Sequence, residues 1–252
     1  MPEAYDRWLA PAVFRPFAAE LARRVAARRP RRVLELAAGT GVLTRELLAT
    51  GTADVTATDL NEAMVEFGRR HVPDATWQAA DALDLPFDAE RFDVVVCQFG
   101  VMFFPDKPAA HAEARRVLEP GGSLFLTSWG TIVGHEFETA VVAGLGRVFP
   151  DDPPRFLQSV PHGYADAAVV VADLRAGGFE QVSAETVTLE GQAASAVDLA
   201  TGYCTGTPLR AEIEARGDLA AAIVVVAEEL ERRLGTGPVA GRMTAHIVEA
   251  VR

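Results

Sequence analysis

The residues most open to a chemical reading are a pair of glycines and three acids that follow short apolar runs. Val33-Leu34-Glu35-Leu36-Ala37-Ala38-Gly39-Thr40-Gly41 joins one such run to a turn of small residues, and a helical pattern follows from Val42 to Ala49. A strand that empties into such a turn, with a helix N-terminus behind it, lets a polar ligand approach the backbone closely. Asp59 stands 18 residues after Gly41, at the end of a second run, where a carboxylate accepts both hydroxyl hydrogens of a ribose. Charged hydrogen bonds of that kind contribute about 1.5–3 kcal/mol. Asp81-Ala82 follows a third run and sets a carboxylate beside a backbone N–H, which suits the amino group and ring nitrogen of an adenine edge. Singly, each acid reads as a helix cap or a loop carboxylate. Together, at successive strand ends after a glycine turn, they read as a nucleotide-like site. Further along, His135 and His162 are candidate general bases, because imidazole titrates near neutral pH; the sequence offers a partner for neither, and each also reads as structural.

Such a site needs strands whose ends are aligned, and the hydrophobic pattern supplies them. Residues 11–29 carry Phe14, Phe17, Leu21 and Val25 at helical spacing and are closed by Pro30. Strands are predicted at 32–36, 54–58, 75–78, 92–97 and 123–129, with helices at 42–49, 61–70 and 109–118 and a turn at Pro120-Gly121-Gly122. Phe92 to Cys97, apolar apart from Asp93, reads as a strand buried on both faces. This alternation implies a parallel sheet covered on both sides. Beyond Trp129 the pattern breaks, and 130–165, with Pro150, Pro153, Pro154 and Pro161, reads as a lid-like insertion. A helix at 167–176 ended by Gly177-Gly178, a strand near 182–189, helices across 193–234 and a last strand at 242–251 complete the pattern. The expected organisation is one domain over 1–252: an N-terminal helical cap at 1–30, a cofactor-binding core at 30–130, and substrate-lid insertions at 130–165 and 193–234. The insertions hold Phe137, Phe149, Phe156, Tyr164 and Tyr203, which line an apolar pocket or pack the lid itself.

Composition narrows the partners. With 35 acidic against 24 basic residues the net charge is −11, which repels a phosphate backbone and disfavours nucleic acid. The densest basic cluster, Arg23, Arg24, Arg28, Arg29, Arg31 and Arg32, reads as a solvated helix end. Cys97 and Cys204 are the only cysteines, and with no CxxC and no histidine-rich cluster neither a disulfide framework nor a structural zinc site is expected; the metal expectation is none. No apolar run is long enough to span a bilayer, and residues 1–10, with Glu3, Asp6 and Arg7, lack the apolar core of a signal peptide. A cytoplasmic protein is expected, with a small-molecule substrate, no nucleic acid and no membrane; a homodimer is compatible with the sequence.

Residues 30–130 resemble the class I S-adenosylmethionine-dependent methyltransferases, within them the broad subgroup similar to the quinone-biosynthesis methyltransferases. The resemblance rests on Glu35 to Gly41, Thr58-Asp59, Ala80-Asp81-Ala82, the run Phe92-Asp93-Val94-Val95-Val96-Cys97-Gln98-Phe99, and Leu118-Glu119-Pro120-Gly121-Gly122, in that order. It implies a Rossmann-like α/β fold with a mostly parallel seven-stranded sheet, helices on both faces and lid insertions. It implies S-adenosyl-L-methionine as cofactor and methyl transfer to O, N or C of a small organic molecule, with a lipid-like, aromatic or polyketide-like acceptor expected from the lid aromatics. In such a family Glu35, Ala37, Ala38, Gly39 and Gly41 cradle the methionine moiety, and Asp59 holds the ribose. Leu60 and Met64 flank the adenine, Asp81, Ala82 and Leu83 meet its edge, and Gln98 and Phe99 line the methionine on the substrate side.

One departure is Ala37, which stands where the family pattern has its first glycine and is expected to be tolerated if φ is negative there. On the N-terminal segment Tyr5, Trp8 and Phe14 either turn an aromatic face to the positive sulfur or staple their helix in place. Two other readings stay open: a protein that keeps the fold and cofactor without methyl transfer, and a nicotinamide dehydrogenase. The dehydrogenase fingerprint needs a third glycine where this chain has Thr44.

Overall fold

The structure, a computed structural model, describes residues 2–52 and 54–252. After the short α1 (Pro2–Ala4), residues Tyr5–Phe14 form a π-helical stretch that passes into α2 (Arg15–Ala27). The single helix predicted over 11–29 thus begins earlier and in a wider register. Pro11 has no N–H to donate, and the Arg15 N–H reaches back five residues to Ala10 O.

The alternating scheme then runs as the hydrophobic pattern predicts: β1 (Arg32–Glu35), α3 (Val42–Ala49), β2 (Asp54–Asp59), α4 (Glu62–His71), β3 (Thr76–Ala79), β4 (Phe92–Gln98), α5 (Lys107–Val117) and β5 (Leu118–Trp129). The exception is Pro120-Gly121-Gly122, expected as a turn before the strand, which lies inside β5 as an irregularity where pairing steps from Phe92↔Leu118 to Val94↔Ser123. Short polar side chains start the helices where the sequence has them. Asn61 Oδ1 accepts from Ala63 N at 2.9 Å and Asp106 Oδ1 from Ala109 N at 3.0 Å, satisfying N–H groups that have no partner inside their helices.

The segment expected to be irregular contains α6 (Glu136–Val148), followed by α7 (Phe156–Ser159). Phe137, Ala140, Val141, Gly144 and Leu145 are buried at helical spacing along α6. The four prolines that suggested a loop all lie beyond it, so the proline-rich stretch had masked a periodic one. The remaining elements are α8 (Ala167–Ala176), β6 (Gln181–Ala193), α9 (Ala196–Gly206), α10 (Leu209–Glu214), α11 (Leu219–Leu234) and β7 (Val239–Val251).

The seven strands form one sheet in the order β3-β2-β1-β4-β5-β7-β6. Strands β1 to β5 pair in parallel, and β7 runs antiparallel to β5 from Ser123↔Val251 to Trp129↔Ala245. Between β1 and β4 the order of connection reverses, and ligands of open α/β sheets bind beyond the carboxyl ends of the strands at such a point. The registers Asp59↔Ala79, Glu35↔Ala57 and Glu35↔Val96 bring the ends of β2 and β3 level and set the end of β1 two residues short of the ends of β2 and β4, which leaves room for the turn that follows Glu35.

The chain divides into two compact units. One, the sheet unit, comprises Ala18–Trp129, Tyr164–Val187 and Ala245–Arg252; the other, the helical unit, comprises Met1–Phe17, Gly130–Gly163 and Thr188–Thr244. In the sheet unit Trp77 anchors a cluster with Ala38, Ala57, Val65 and Val72, and its indole N–H donates to Val72 O at 3.0 Å. Gly68 on α4 lies flat against that indole: a Cβ there would sit 2.3 Å from the ring. Gly68→Ala is therefore expected to destabilise the chain by about 1–3 kcal/mol through overpacking, despite alanine's better helix propensity. Urea unfolding of the two proteins checks this, and an unchanged or raised midpoint would show that the ring moves aside freely.

Candidate active site

The turn after β1 is built from left-handed residues. Ala37, Gly39 and Gly41 have φ of +53°, +56° and +84°. The condition set for tolerating Ala37, a negative φ, is therefore not met: a left-handed alanine costs on the order of 1–2 kcal/mol, which its surroundings must supply. Three backbone bonds hold the turn, Leu36 N to Val96 O at 2.8 Å, Ala38 N to Thr58 O at 2.9 Å and Gly41 N to Ala38 O at 2.9 Å. The methyl group of Ala37 occupies space that Gly100 leaves open, since a Cβ on Gly100 would lie 2.5 Å from it. At Gly39 an added Cβ would meet nothing within 4 Å, so the backbone there borders open space.

Glu35 ends β1 with its carboxyl group fully buried, and the Thr44 hydroxyl donates to Oε2 at 2.6 Å. Burial pushes the Glu35 carboxyl up to about 8 from its ordinary 4.5, against the Thr44 hydrogen bond and with the Asp59 charge adding to the rise. Thr44 therefore uses the position of a dehydrogenase's third glycine for a hydrogen bond.

Asp59 ends β2. Its Oδ2 accepts from Gly39 N and its Oδ1 from Asn61 N, both at 2.9 Å, which ties the second strand to the glycine turn. Burial raises its pKa, and the two backbone donors oppose the rise. Each carboxylate oxygen keeps a second lone pair for a ligand hydroxyl. Next to it Leu60 is 74% exposed, an apolar side chain left open beside the carboxylate, and Met64 on the first turn of α4 is half-buried. Asp81 is exposed and accepts from Leu83 N at 2.9 Å through Oδ1, while Ala82 is buried and Leu83 half-buried. An open turn, a tethered carboxylate and an exposed apolar side chain fit an adenosyl group joined to a small amino acid.

At the ends of β4 and β5 the residues are Gln98, half-buried, and Phe99, buried with φ +51°. The Phe99 N–H donates to Thr127 O at 3.2 Å and to Thr127 Oγ1 at 3.0 Å, and its ring stacks on Trp129, centroids 3.5 Å apart at 8°. Gly100, Thr127 and Trp129 were not among the residues singled out from the sequence, and Thr44 was singled out only against the dehydrogenase fingerprint. Only Trp129, an aromatic at a strand end, carried a visible signal.

In the helical unit the structure brings His135 and His162 together, rings 4.5 Å apart and edge to face, and adds Glu138 and Tyr203. Glu138 Oε2 lies 3.5 Å from His135 Nδ1, and the Tyr203 hydroxyl donates to Glu138 Oε1 at 2.6 Å. All four are buried. Burial pushes the Glu138 carboxyl up, but the imidazoles and the Tyr203 hydroxyl together hold it below its ordinary range; burial lowers His162. Glu138 stands three residues after His135, the N-cap of α6, a spacing visible in the sequence. Tyr5 and Phe14 pack with their rings tilted by 37° and centroids 5.0 Å apart, and the backbone of Tyr5 and the Cβ of Trp8 lie close against Gly206 and Gly202 of α9, the stapling role.

Sheet order and turn together define a nucleotide-binding α/β protein of the doubly wound kind. A family model for a methyltransferase domain matches residues 33–122. The demethylmenaquinone methyltransferase of Clavibacter sepedonicus is 33% identical over 169 residues, covering 62% of this chain and 69% of the relative. Among solved structures, the YcgJ protein of Bacillus subtilis superposes with a TM-score of 0.57 at 18% identity, over 92% of this chain and 97% of that one. Haemonchus contortus phosphoethanolamine N-methyltransferase 2, solved with S-adenosyl-L-methionine, gives 0.54 at 15% identity over 88% and 48%. The chain belongs to the class I S-adenosylmethionine-dependent methyltransferases, in their quinone-biosynthesis-like group. It is an enzyme of S-adenosylmethionine-dependent methyl transfer, and the comparisons favour neither the dehydrogenase nor the fold without transfer. No helix of the described residues is long and apolar enough to cross a membrane.

The buried Glu35 gives a signed pH dependence. Between pH 4.5 and about 8 the folded chain holds a proton that the unfolded chain releases, so this group's contribution to stability is full below 4.5 and is lost as pH rises toward 8. Glu35→Gln removes the titration while keeping an acceptor for Thr44. In cofactor-free protein the variant's thermal midpoint is expected to rise relative to the parent as pH increases from about 5 to about 9. A constant difference across that range would contradict the buried, protonated acid.

Proposed function

We propose that the chain methylates a planar, hydroxyl-bearing aromatic small molecule of the reduced-quinone class. The observation that carries this is the stack of Phe99 on Trp129 at the carboxyl ends of β4 and β5, a buried aromatic wall whose first member is held at φ +51°. Residues kept in such costly conformations cluster where a ligand is positioned. The name of the Clavibacter relative, a demethylmenaquinone methyltransferase, points to the same acceptor class.

In this reading Glu35 and the turn through Ala37, Ala38, Gly39 and Gly41 hold the methionine moiety, with the Glu35 carboxyl next to its ammonium group. Asp59 holds the ribose hydroxyls, Leu60 and Met64 the faces of the adenine, and Asp81, Ala82 and Leu83 its edge. Gln98 and Phe99 set the limit of the methionine side. When bound, S-adenosyl-L-methionine supplies an electrophilic methyl group on a sulfonium centre. The chain's own work is alignment and exclusion of water, and holding two reactants in line contributes about 7–11 kcal/mol.

The test measures S-adenosylhomocysteine production with a short-chain reduced demethylmenaquinone, a phenolic polyketide and a primary amine as acceptors. The expected result is a kcat/KM for the quinol at least about 100-fold above that for the amine. Trp129→Ala is expected to raise KM for the quinol by about tenfold, about 1.4 kcal/mol, with donor affinity unchanged. Turnover of the amine with none of the aromatic acceptors would overturn the proposal.

A further inference from the structure

The cluster of His135, Glu138, His162 and Tyr203 lies within the helical unit. It was not expected as a metal site, because the sequence has no CxxC and no histidine-rich run. The fold assembles it from positions 135, 138 and 162, whose ligand atoms come within 4.8 Å of one another.

The hydrogen bonds of the two imidazoles decide which nitrogens face inward. His162 Nδ1 lies 2.8 Å from Gly130 O, and His135 Nε2 lies 2.7 Å from Thr244 O. A carbonyl at that distance requires a proton on the ring nitrogen, so both rings donate to backbone and both turn their lone-pair nitrogen, Nε2 of His162 and Nδ1 of His135, away from it. The Thr244 N–H also approaches His135 Nε2, but at 3.3 Å, and a nitrogen that donates cannot accept there. A backbone carbonyl fixing the far nitrogen of each imidazole is the usual support of a metal-bound histidine. The carboxylate is supported in the same way, since Tyr203 donates to Glu138 Oε1 and leaves Oε2 facing the imidazoles.

A proton shared between His135 and Glu138 would draw them to about 2.7–2.9 Å. They stand at 3.5 Å. A ring nitrogen of each imidazole and a carboxylate oxygen of Glu138, in residues at most 8% exposed, lie within 4.8 Å of one another. We infer that His135, Glu138 and His162 form a divalent-cation site of two nitrogens and one oxygen, selective for zinc-like ions, with Tyr203 orienting the carboxylate. Nitrogen-rich donors favour Zn2+ over Mg2+ or Ca2+. Bonds of about 2.0–2.1 Å in tetrahedral geometry hold donors about 3.4 Å apart, so the ion closes the set by side-chain rotation of about an ångström and leaves a fourth position for water.

The test uses the full chain, purified without a metal-affinity tag, stripped with chelator and titrated with Co2+, whose visible spectrum reports tetrahedral coordination, then with Zn2+ in competition. One Co2+ per chain, displaced by Zn2+, is expected. Glu138→Gln and His162→Ala are expected to lower affinity at least about 100-fold, and Tyr203→Phe, which keeps the ring in the core, about tenfold. Circular dichroism of each variant separates lost ligation from lost folding. Absence of a tetrahedral Co2+ spectrum, or binding that persists in folded Glu138→Gln and Tyr203→Phe, overturns the site. In the first case the two histidines return to the general-base role read from the sequence, which a pH profile of kcat would then have to carry.

Discussion

A carboxyl group buried at the end of the first strand is the constraint on which the rest of the site depends. Glu35 is almost entirely shielded from the solvent that would stabilise its charge, and Thr44, on the helix that the glycine turn introduces, donates to it at 2.6 Å. That bond fixes how strand, turn and helix meet, and the turn in between takes up left-handed backbone at three positions. Asp59 then ties the second strand to the same turn through Gly39 N. The proposed methyl-donor site is thus a small hydrogen-bonded frame at the carboxyl ends of β1, β2 and β4, where a cationic ligand group would find two carboxyl groups whose ionisation burial has made costly.

Much of that frame was legible in the sequence because it is local. Glu35 to Gly41 and Asp59 occupy one strand-turn-helix-strand unit, and period and small-residue spacing place all of it. What the sequence hid was packing between distant segments. The φ of Ala37 depends on Gly100, 63 positions away, whose missing side chain makes room for the alanine methyl. The Phe99–Trp129 stack likewise depends on β4 and β5 lying side by side, and on Thr127 accepting the Phe99 N–H.

The helical unit was less legible for a different reason. The prolines after position 149 obscure the regular apolar spacing of α6, and Pro11 falls within a π-helical stretch where the spacing implies an ordinary helix. Its two histidines were each visible as isolated residues. Their partners were not, because Glu138 is distinguished only by its burial and Tyr203 comes from α9, 65 positions from the carboxylate it contacts. Chemistry that rests on convergence of separated side chains needs the fold before it can be read.

The central claim, that Asp59 and the Glu35 turn form the S-adenosylmethionine site, is tested most directly by calorimetric titration of the purified chain with S-adenosylmethionine and, separately, with NADH, repeated on Asp59→Ala. Binding of the methyl donor that weakens at least about tenfold in the variant, about 1.4 kcal/mol, with no heat from NADH, is the predicted result. Binding of NADH in place of the donor, or donor affinity untouched by loss of the Asp59 carboxylate, would contradict the account.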